Sequence, residues 1–275
     1  MVVFLYGDKN CEHQAISCIK SLTYKITFDV KIVYYTVGFD SDFEFKNLHK
    51  IKIPFKPEYP MMHFYKPELC LLTMELFPDD YYVYTDTDIL FSRRFNFDIV
   101  KHNEIYPLAS FGPVEYPYLW IANDDEVKVY DEKKLMEYFN VPSRTQRYVW
   151  ACFYSFNSNC RDFFEEYTSM CKNQYLLSNR IEYFPYTDET ALNICLWKRN
   201  ATKNYGYAYV HTNNLQTVKE VENGASYKKF NRNFIDSGGY DWEFVEDPTN
   251  IMFYHNFKEK EYMEETVKYL LNINE

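Results

Sequence analysis

The chain has 275 residues and a formal net charge of −10, and apolar residues make up 47% of it and aromatic residues 20%. This composition excludes a disordered or fibrous chain and suits one large domain with a sizeable core. The acidic balance argues against nucleic acid as a partner, because phosphate binding favours a basic face. An anionic cofactor stays compatible with it if a metal ion and a few lysines bridge the charges.

The first third of the chain alternates strands with helices, which predicts an α/β three-layer fold with a mainly parallel sheet. Apolar runs indicate the strands, and apolar residues at helical spacing indicate the helices. The predicted elements, in chain order, are a strand at 2–6, a helix at 11–22, strands at 30–37 and 49–54, a helix at 66–77 and a strand at 81–85.

The rest of the chain has a less regular pattern. The predicted elements there are strands at 107–112 and 148–157, a helix at about 160–174, a capped helix at 187–198, strands at 208–211 and 251–256 and a terminal helix at 259–272. The stretch from about 213 to 250 is rich in Asn, Gly and Ser, and we expect it to be the least regular part.

Seven cysteines are present, and no two of them are spaced as Cys-x-x-Cys. This pattern predicts reduced, buried thiols in a cytoplasmic protein. Met1 leads directly into VVFLYG, which is short and has no preceding basic region, so it is predicted to be the first strand and not a signal peptide. Since no apolar run approaches the roughly 20 residues of a membrane span, no membrane span is expected.

Two carboxylates, Asp86 and Asp88, follow the aromatic and β-branched run YYVYT. Alternate residues of an extended chain point to the same face, so both acids would be directed at one place beyond the carboxyl end of a strand, where open α/β sheets bind ligands. Two carboxylates this close repel each other, and a divalent cation that prefers oxygen ligands, Mg²⁺ or Mn²⁺, removes the conflict. A polar turn is the alternative interpretation, although such turns seldom lie between two apolar strands without Gly or Pro.

A strand, then Asp-x-Asp, then a short apolar strand resembles the nucleotide-sugar-dependent glycosyltransferases of the GT-A fold, and other motifs resemble glycosyltransferase family 8. The resemblance covers about residues 1–260 as spaced motifs. It implies a GT-A (Rossmann-like) three-layer sandwich in a single domain over 1–275. The nucleotide-binding half would be 1–110, and the acceptor and catalytic half, with the C-terminal helix, would be 111–275.

The resemblance also implies how the metal and the diphosphate would be held. Asp86 and Asp88 would bind the metal, and FYKPELCLLTMEL resembles the helix that precedes the pair, in which Lys66 would contact the nucleotide. The segment MFYHNFKEK resembles the family's His-x-x-Gly-x-x-Lys, which implies His255 as third metal ligand and Lys258 as a diphosphate contact. The glycine is absent and the lysine spacing differs, so Lys260 is an alternative to Lys258.

The segment TDETALN (187–193) resembles the family's Asp-Gln-Asp-x-Leu-Asn. The resemblance implies that Asp188 meets the donor or acceptor sugar and that Glu189, which replaces the usual Gln, lies near the anomeric carbon. A glutamate there is compatible with a nucleophile or ion-pair stabiliser in a retaining enzyme and with the general base of an inverting one. The alternative is that both acids only complement the helix N-terminus, at about 0.3–1 kcal/mol each.

Four more residues complete the donor site that the resemblance implies. In FLYGD, Tyr6 would stack on the nucleobase and Asp8 would accept a hydrogen bond from it. Thr87 lies between the two metal ligands, and Asn157, in the segment 152–167, would border the donor sugar.

Together these motifs predict a hexosyltransferase-like, metal-dependent glycosyltransferase that uses a UDP-sugar and an unidentified glycan or other acceptor, with retention because the motif order resembles family 8. An inverting enzyme with Glu189 as base is one alternative. A haloacid-dehalogenase-type phosphatase using Asp86 and Asp88 is another, although Leu90 stands where that motif normally has Thr or Val. A non-enzymatic sugar- or nucleotide-binding protein is a third, which the aromatic surplus suits.

Overall fold

The computed structural model describes residues 1–22, 30–57, 62–93, 95–97, 105–108, 118–123, 126–131, 136–137, 139–141, 149–176, 187–199, 208–211, 214–223, 251–254 and 260–272. The strands are β1 Val2–Gly7, β2 Lys31–Val37, β3 Leu48–Ile53, β4 Tyr81–Thr85, β5 Ile89–Phe91, β6 Tyr106–Leu108, β7 Tyr118–Asn123, β8 Glu126–Asp131, β9 Trp150–Asn157, β10 Ala208–His211 and β11 Ile251–Tyr254. The helices are α1 Glu12–Ser21, α2 Tyr65–Leu76, α3 Arg161–Leu176, α4 Thr187–Lys198, α5 Leu215–Glu222 and α6 Lys260–Leu270. Short 3₁₀ turns, Lys9–Cys11, Met62–Phe64 and Ser158–Cys160, precede α1, α2 and α3.

Within the described residues, the central sheet has six strands in the order β3-β2-β1-β4-β9-β6. The first four of these pair in parallel, and β9 runs antiparallel to β4 and to β6. The carboxyl ends of β1, β2, β3 and β4 therefore meet at one edge of the sheet, and the predicted, mainly parallel sheet is confirmed.

Helices cover both faces of this sheet. On one face the core includes Phe4 and Tyr84 together with residues of α2, α3 and α4. On the other face it includes Val3 and Val83 together with residues of α1. Successive strand residues point to opposite faces, so a strand buried on both sides needs an unbroken apolar run, and VVFLY supplies one in β1.

A second sheet joins the first through residues 86–88. It has the order β10-β11-β5, with β10 and β11 parallel and β5 antiparallel to β11. Leu90 and Phe253 pack beneath α5 and α6. Because β4 belongs to the first sheet and β5 to the second, the Asp-x-Asp turn (residues 86–88) is the link between the two.

Several elements differ from the sequence-based expectation. The helix α5 forms within the stretch expected to be irregular, because Asn214 caps it by accepting from the Gln216 N–H and because Val218 and Val221 are buried three residues apart. The antiparallel pair of β7 and β8 was not predicted, since the two residues between them in the sequence, Asp-Asp, lack a glycine turn signal. Residues 109–112 and 255–256, predicted to extend two strands, lie outside the described residues.

The seven cysteines are unpaired in the structure, and five of them are buried while Cys11 and Cys160 are partly exposed. In the described part of the chain, no helix combines the length and the apolar character that crossing a membrane requires.

Candidate active site

A buried lysine lies at the carboxyl edge of the central sheet. Lys66, in the first turn of α2, is 2% exposed. Its Nζ is 2.8 Å from Asp188 Oδ2 and 3.3 Å from Asp86 Oδ1, and it donates a hydrogen bond to the Ala151 carbonyl oxygen at 2.9 Å. The Tyr84 ring lies 5.2 Å from the same nitrogen. This one ammonium group therefore ties together the end of β4, the start of β9 and the start of α4.

The charges of this cluster stabilise one another. Burial by itself would lower the pKa of Lys66, but the negative charges of Asp188 and Asp86 outweigh it and hold the pKa well above the usual range. Burial by itself would raise the pKa of Asp188, but the positive charges of Lys66 and His63 outweigh it and lower the pKa below its ordinary value. Lys66 is therefore a cation and Asp188 an anion at neutral pH.

The Asp-x-Asp turn presents its two carboxylates differently. The Asp86 side chain is 30% exposed and accepts a hydrogen bond from the Tyr84 hydroxyl, while the Asp86 backbone N–H donates to the Cys152 carbonyl at 2.7 Å. Asp88 is buried, with 3% exposure. Burial, followed by the charges of Asp86 and then Asp88, raises the pKa of the Cys152 thiol well above its usual range.

Asp86 and Asp88 supply the hard oxygen ligands that Mg²⁺ and Mn²⁺ prefer, so the donor set fits part of a metal site. Among the described residues, no group of three or more His, Cys, Asp or Glu side chains is arranged to hold a metal ion. The predicted third ligand, His255, lies outside the described residues, and so does Lys258.

The N-terminus of α4 is fastened to the first residues of β9. Glu189 Oε2 accepts the Ala151 backbone N–H at 3.2 Å. One turn later, the Asn193 amide accepts from the Val149 N–H at 2.7 Å and donates to the Val149 carbonyl at 2.8 Å. Asp188 is therefore directed at Lys66, whereas Glu189 is directed at the β9 backbone.

The predicted nucleoside contacts lie on and below the loop that follows β1. Tyr6 is 8% exposed, and its ring centroid is 6.4 Å from that of Tyr65 and 6.0 Å from that of Tyr84. Asp8 Oδ1 accepts from the backbone N–H groups of residues 10 and 11 and so caps the 3₁₀ turn before α1. Thr87 is 7% exposed, and its hydroxyl donates to Gln14 Oε1. Tyr6 and Thr87 are thus packed inward, and the Asp8 carboxylate is hydrogen-bonded to the backbone of the loop on which it lies.

The structure does not bring Asn157 to this cluster. Asn157 pairs with Tyr81, at the amino end of β4, because β9 runs antiparallel to that strand. The four residues from there to the carboxyl end of β4 span roughly 13 Å. Asn157 instead accepts the Asn159 N–H and caps the 3₁₀ turn before α3.

The sequence analysis missed His63 and the start of β9. His63 is exposed, and its charge lowers the pKa of Asp188. Its spacing from Lys66, three residues in MHFYK, is a signal that could have indicated it, because residues three apart lie on one face of a helix. The Ala151 carbonyl has no comparable signal, since any residue can supply a backbone carbonyl.

The sequence matches no protein-family profile and no curated protein. It does resemble solved structures. The bifunctional glycosyltransferase WbbM, in its apo structure, matches with a TM-score of 0.59 and 13% identity, over 97% of this chain and 49% of WbbM, so the chain spans about half of that protein's length. The galactosyltransferase LgtC, in complex with donor and acceptor sugar analogues, matches with a TM-score of 0.58 and 11% identity, over 100% of this chain and 98% of LgtC. The chain has the GT-A fold of these proteins, which confirms the predicted fold class.

Proposed function

We propose that the chain is a metal-dependent glycosyltransferase that moves a sugar from a UDP-sugar to a glycan or other acceptor, with retention of the anomeric configuration. The observation that carries the proposal is the bridge that Lys66 makes between Asp86 and Asp188. The bridge lies at the carboxyl edge of the parallel strands, where open α/β sheets bind their ligands. The GT-A fold shared with WbbM and LgtC supports the proposal.

Asp86 and Asp88, with His255, would hold Mn²⁺ or Mg²⁺, and the bound ion supplies positive charge against the diphosphate leaving group. Lys258 would add a second positive charge there. Tyr6, Asp8 and Thr87 would shape the nucleoside end of the site. Of these three residues, Asp8 lies on the loop that follows β1.

Lys66 would hold the acidic residues at the sugar end of the site in place. Its 2.8 Å ion pair fixes Asp188 and keeps that carboxylate ionised, so Asp188 can accept hydrogen bonds from sugar hydroxyls. Glu189 follows directly and is held on the backbone of β9. A bound sugar would therefore meet a fixed acid at Asp188 with Glu189 as its neighbour.

The experiment is a thermal-shift panel of nucleotide sugars with and without Mn²⁺, followed by a measurement of UDP release. A UDP-sugar at 100 times its Kd should stabilise the protein by about 2.7 kcal/mol. This stabilisation should require Mn²⁺ and should be lost in Asp88→Asn. Asp80→Asn is the matched control, because it makes the same chemical change at an exposed residue before the amino end of β4.

Three results would contradict the proposal in different ways. Equal stabilisation by the UDP-sugar with and without Mn²⁺ would refute the proposed metal dependence. Stabilisation without any UDP release in the presence of acceptor glycans would favour a binding protein. Hydrolysis of a generic aryl phosphate, without response to any nucleotide sugar, would favour the phosphatase.

A further inference from the structure

Helix α1 presents a polar stripe to the Asp-x-Asp turn. Gln14, Cys18 and Ser21 are spaced four and three residues apart, so they lie on one face of the helix. All three are buried, at 2%, 0% and 0% exposure. Burying an amide or a hydroxyl is costly unless it is hydrogen-bonded, so the bonding partners of such a stripe indicate what it does.

Each residue of the stripe bonds a different point of the stretch from the Asp-x-Asp turn to the end of β5. The Thr87 hydroxyl donates to Gln14 Oε1 at 3.3 Å. The Cys18 thiol donates to the Asp86 carbonyl oxygen with the sulfur 3.9 Å away, and Ser21 Oγ accepts the Phe91 backbone N–H at 3.0 Å. Helix α1 thus bonds the Asp86 backbone directly and bonds residues 87 and 91 on either side of Asp88.

The Thr87 methyl group also lies near the end of β1. A Cβ added to Gly7 would lie 3.5 Å from Thr87 Cγ2 and 3.1 Å from Cys11 Cβ. The last residue of β1 therefore leaves room for no more than ordinary van der Waals contact with the Thr87 methyl group, while the hydroxyl reaches Gln14. Both parts of this side chain have a defined partner.

We propose that Gln14 is a positioning residue, whose side-chain carbonyl fixes Thr87 and thereby the relative placement of the Asp86 and Asp88 carboxylates. The inference rests on the proposed function for the metal itself. Groups that orient metal ligands without touching the ion typically affect metal affinity 10- to 100-fold. Because Gln14 acts through Thr87 and not on a carboxylate directly, we expect an effect at the lower end, about 10-fold.

The test is a titration of the full-length protein with Mn²⁺ alone, in which the electron paramagnetic resonance signal reports free Mn²⁺. Gln14→Met removes the acceptor at similar volume, and Thr87→Val removes the donor at similar volume. Each should raise the Kd for Mn²⁺ about 10-fold. The double variant should be no worse than either single one, because both remove the same bond. Thr87→Ser keeps the hydroxyl and should bind Mn²⁺ within about twofold of the wild type.

Ser17→Ala is the matched control. Ser17 lies on the same helix and is 3% exposed, but its hydroxyl donates to the His13 carbonyl of its own helix. Thermal unfolding without metal separates a loss of stability from a loss of affinity. If the wild type binds Mn²⁺ and Gln14→Met and Thr87→Val bind it equally well, the positioning role is refuted and the proposed function stands. If the wild type binds no Mn²⁺ at millimolar concentration, the metal-dependent function fails and the positioning role fails with it.

Discussion

Replacement of Lys66 by methionine removes the ammonium group that Asp86 and Asp188 share and keeps a side chain of similar length. The Asp188 side chain is 9% exposed, so the loss leaves a buried carboxylate without its 2.8 Å partner. Stripping one partner from a buried ion pair typically costs about 3–5 kcal/mol. The Asp86 side chain is 30% exposed, and water can screen its charge, so we expect the lower end, about 3 kcal/mol.

Thermal unfolding at neutral pH measures this cost. For a chain of this size, 1 kcal/mol shifts the Tm by about 2–4 °C, so Lys66→Met should lower the Tm by about 6–12 °C. Lys172→Met is the matched control, because Lys172 Nζ also lies 2.8 Å from a carboxylate oxygen, that of Glu68, but its side chain is 53% exposed. An exposed pair contributes about 0–1 kcal/mol, so the control should shift the Tm far less.

The double variant Lys66→Met with Asp188→Asn tests whether the destabilisation comes from the unpaired Asp188 carboxylate. It removes the uncompensated charge together with its partner, so it should be destabilised by less than the sum of the two single variants. The reasoning is refuted if Lys66→Met unfolds within about 2 °C of the wild type, or if the two substitutions are strictly additive.

Two further predictions concern the acids at the start of α4. Glu189→Gln retains an oxygen that can accept the Ala151 N–H, so we expect folding and donor binding to persist. Sugar transfer should fall by about 10²–10⁴-fold. Unchanged turnover would mean that Glu189 only holds α4 against β9. Burial opposes ionisation of Asp188, but Lys66 and His63 lower its pKa below the ordinary 3.8, so its stabilising effect is complete above that value and is lost as pH falls through the folded-state pKa. The Tm difference between the wild type and Asp188→Asn should therefore not decline from about pH 8 to pH 5 and should shrink below about 3.8, and a decline already between pH 7 and pH 5 would contradict this assignment.

Local patterns predicted the elements whose signals are complete within one segment. The buried run before Asp86, the apolar residues after Asp88 and the periodic helix around Leu69 all needed only neighbouring residues, and each forms where the pattern indicated. The helix α5 was missed because its apolar face is short and its neighbours are polar, a composition typical of a loop. Burial of that short face and the cap at Asn214 stabilise the helix nevertheless.

Strand direction is what a single-sequence pattern could not supply. The strand that carries Asn157 was recognised, but an apolar run has the same pattern in either direction, and β9 proves antiparallel to β4. Near its start, Ala151 bonds Lys66 and Cys152 bonds the Asp86 N–H, so this end of β9 lies at the carboxyl end of β4. Its last residue, Asn157, lies beside the amino end of β4. The contact between Lys66 and Asp188 was hidden for a related reason, since segments distant in the chain meet only once the layers have assembled.

The geometry around Lys66 bears on which group would meet the donor's diphosphate. Its ammonium group has three protons and three oxygen partners, on Asp86, Asp188 and Ala151. A direct contact with phosphate would require it to leave one of them, and leaving Asp188 would uncover a buried charge at a cost of about 3–5 kcal/mol. A phosphate contact made at the expense of Asp188 has to exceed that cost before it adds any affinity. We therefore expect Lys66 to act by fixing Asp86 and Asp188. The carboxylates of the Asp-x-Asp turn repel a diphosphate, and Lys66 is not free to neutralise it. A bound cation has to do so, and for this reason donor binding should depend on Mn²⁺ or Mg²⁺.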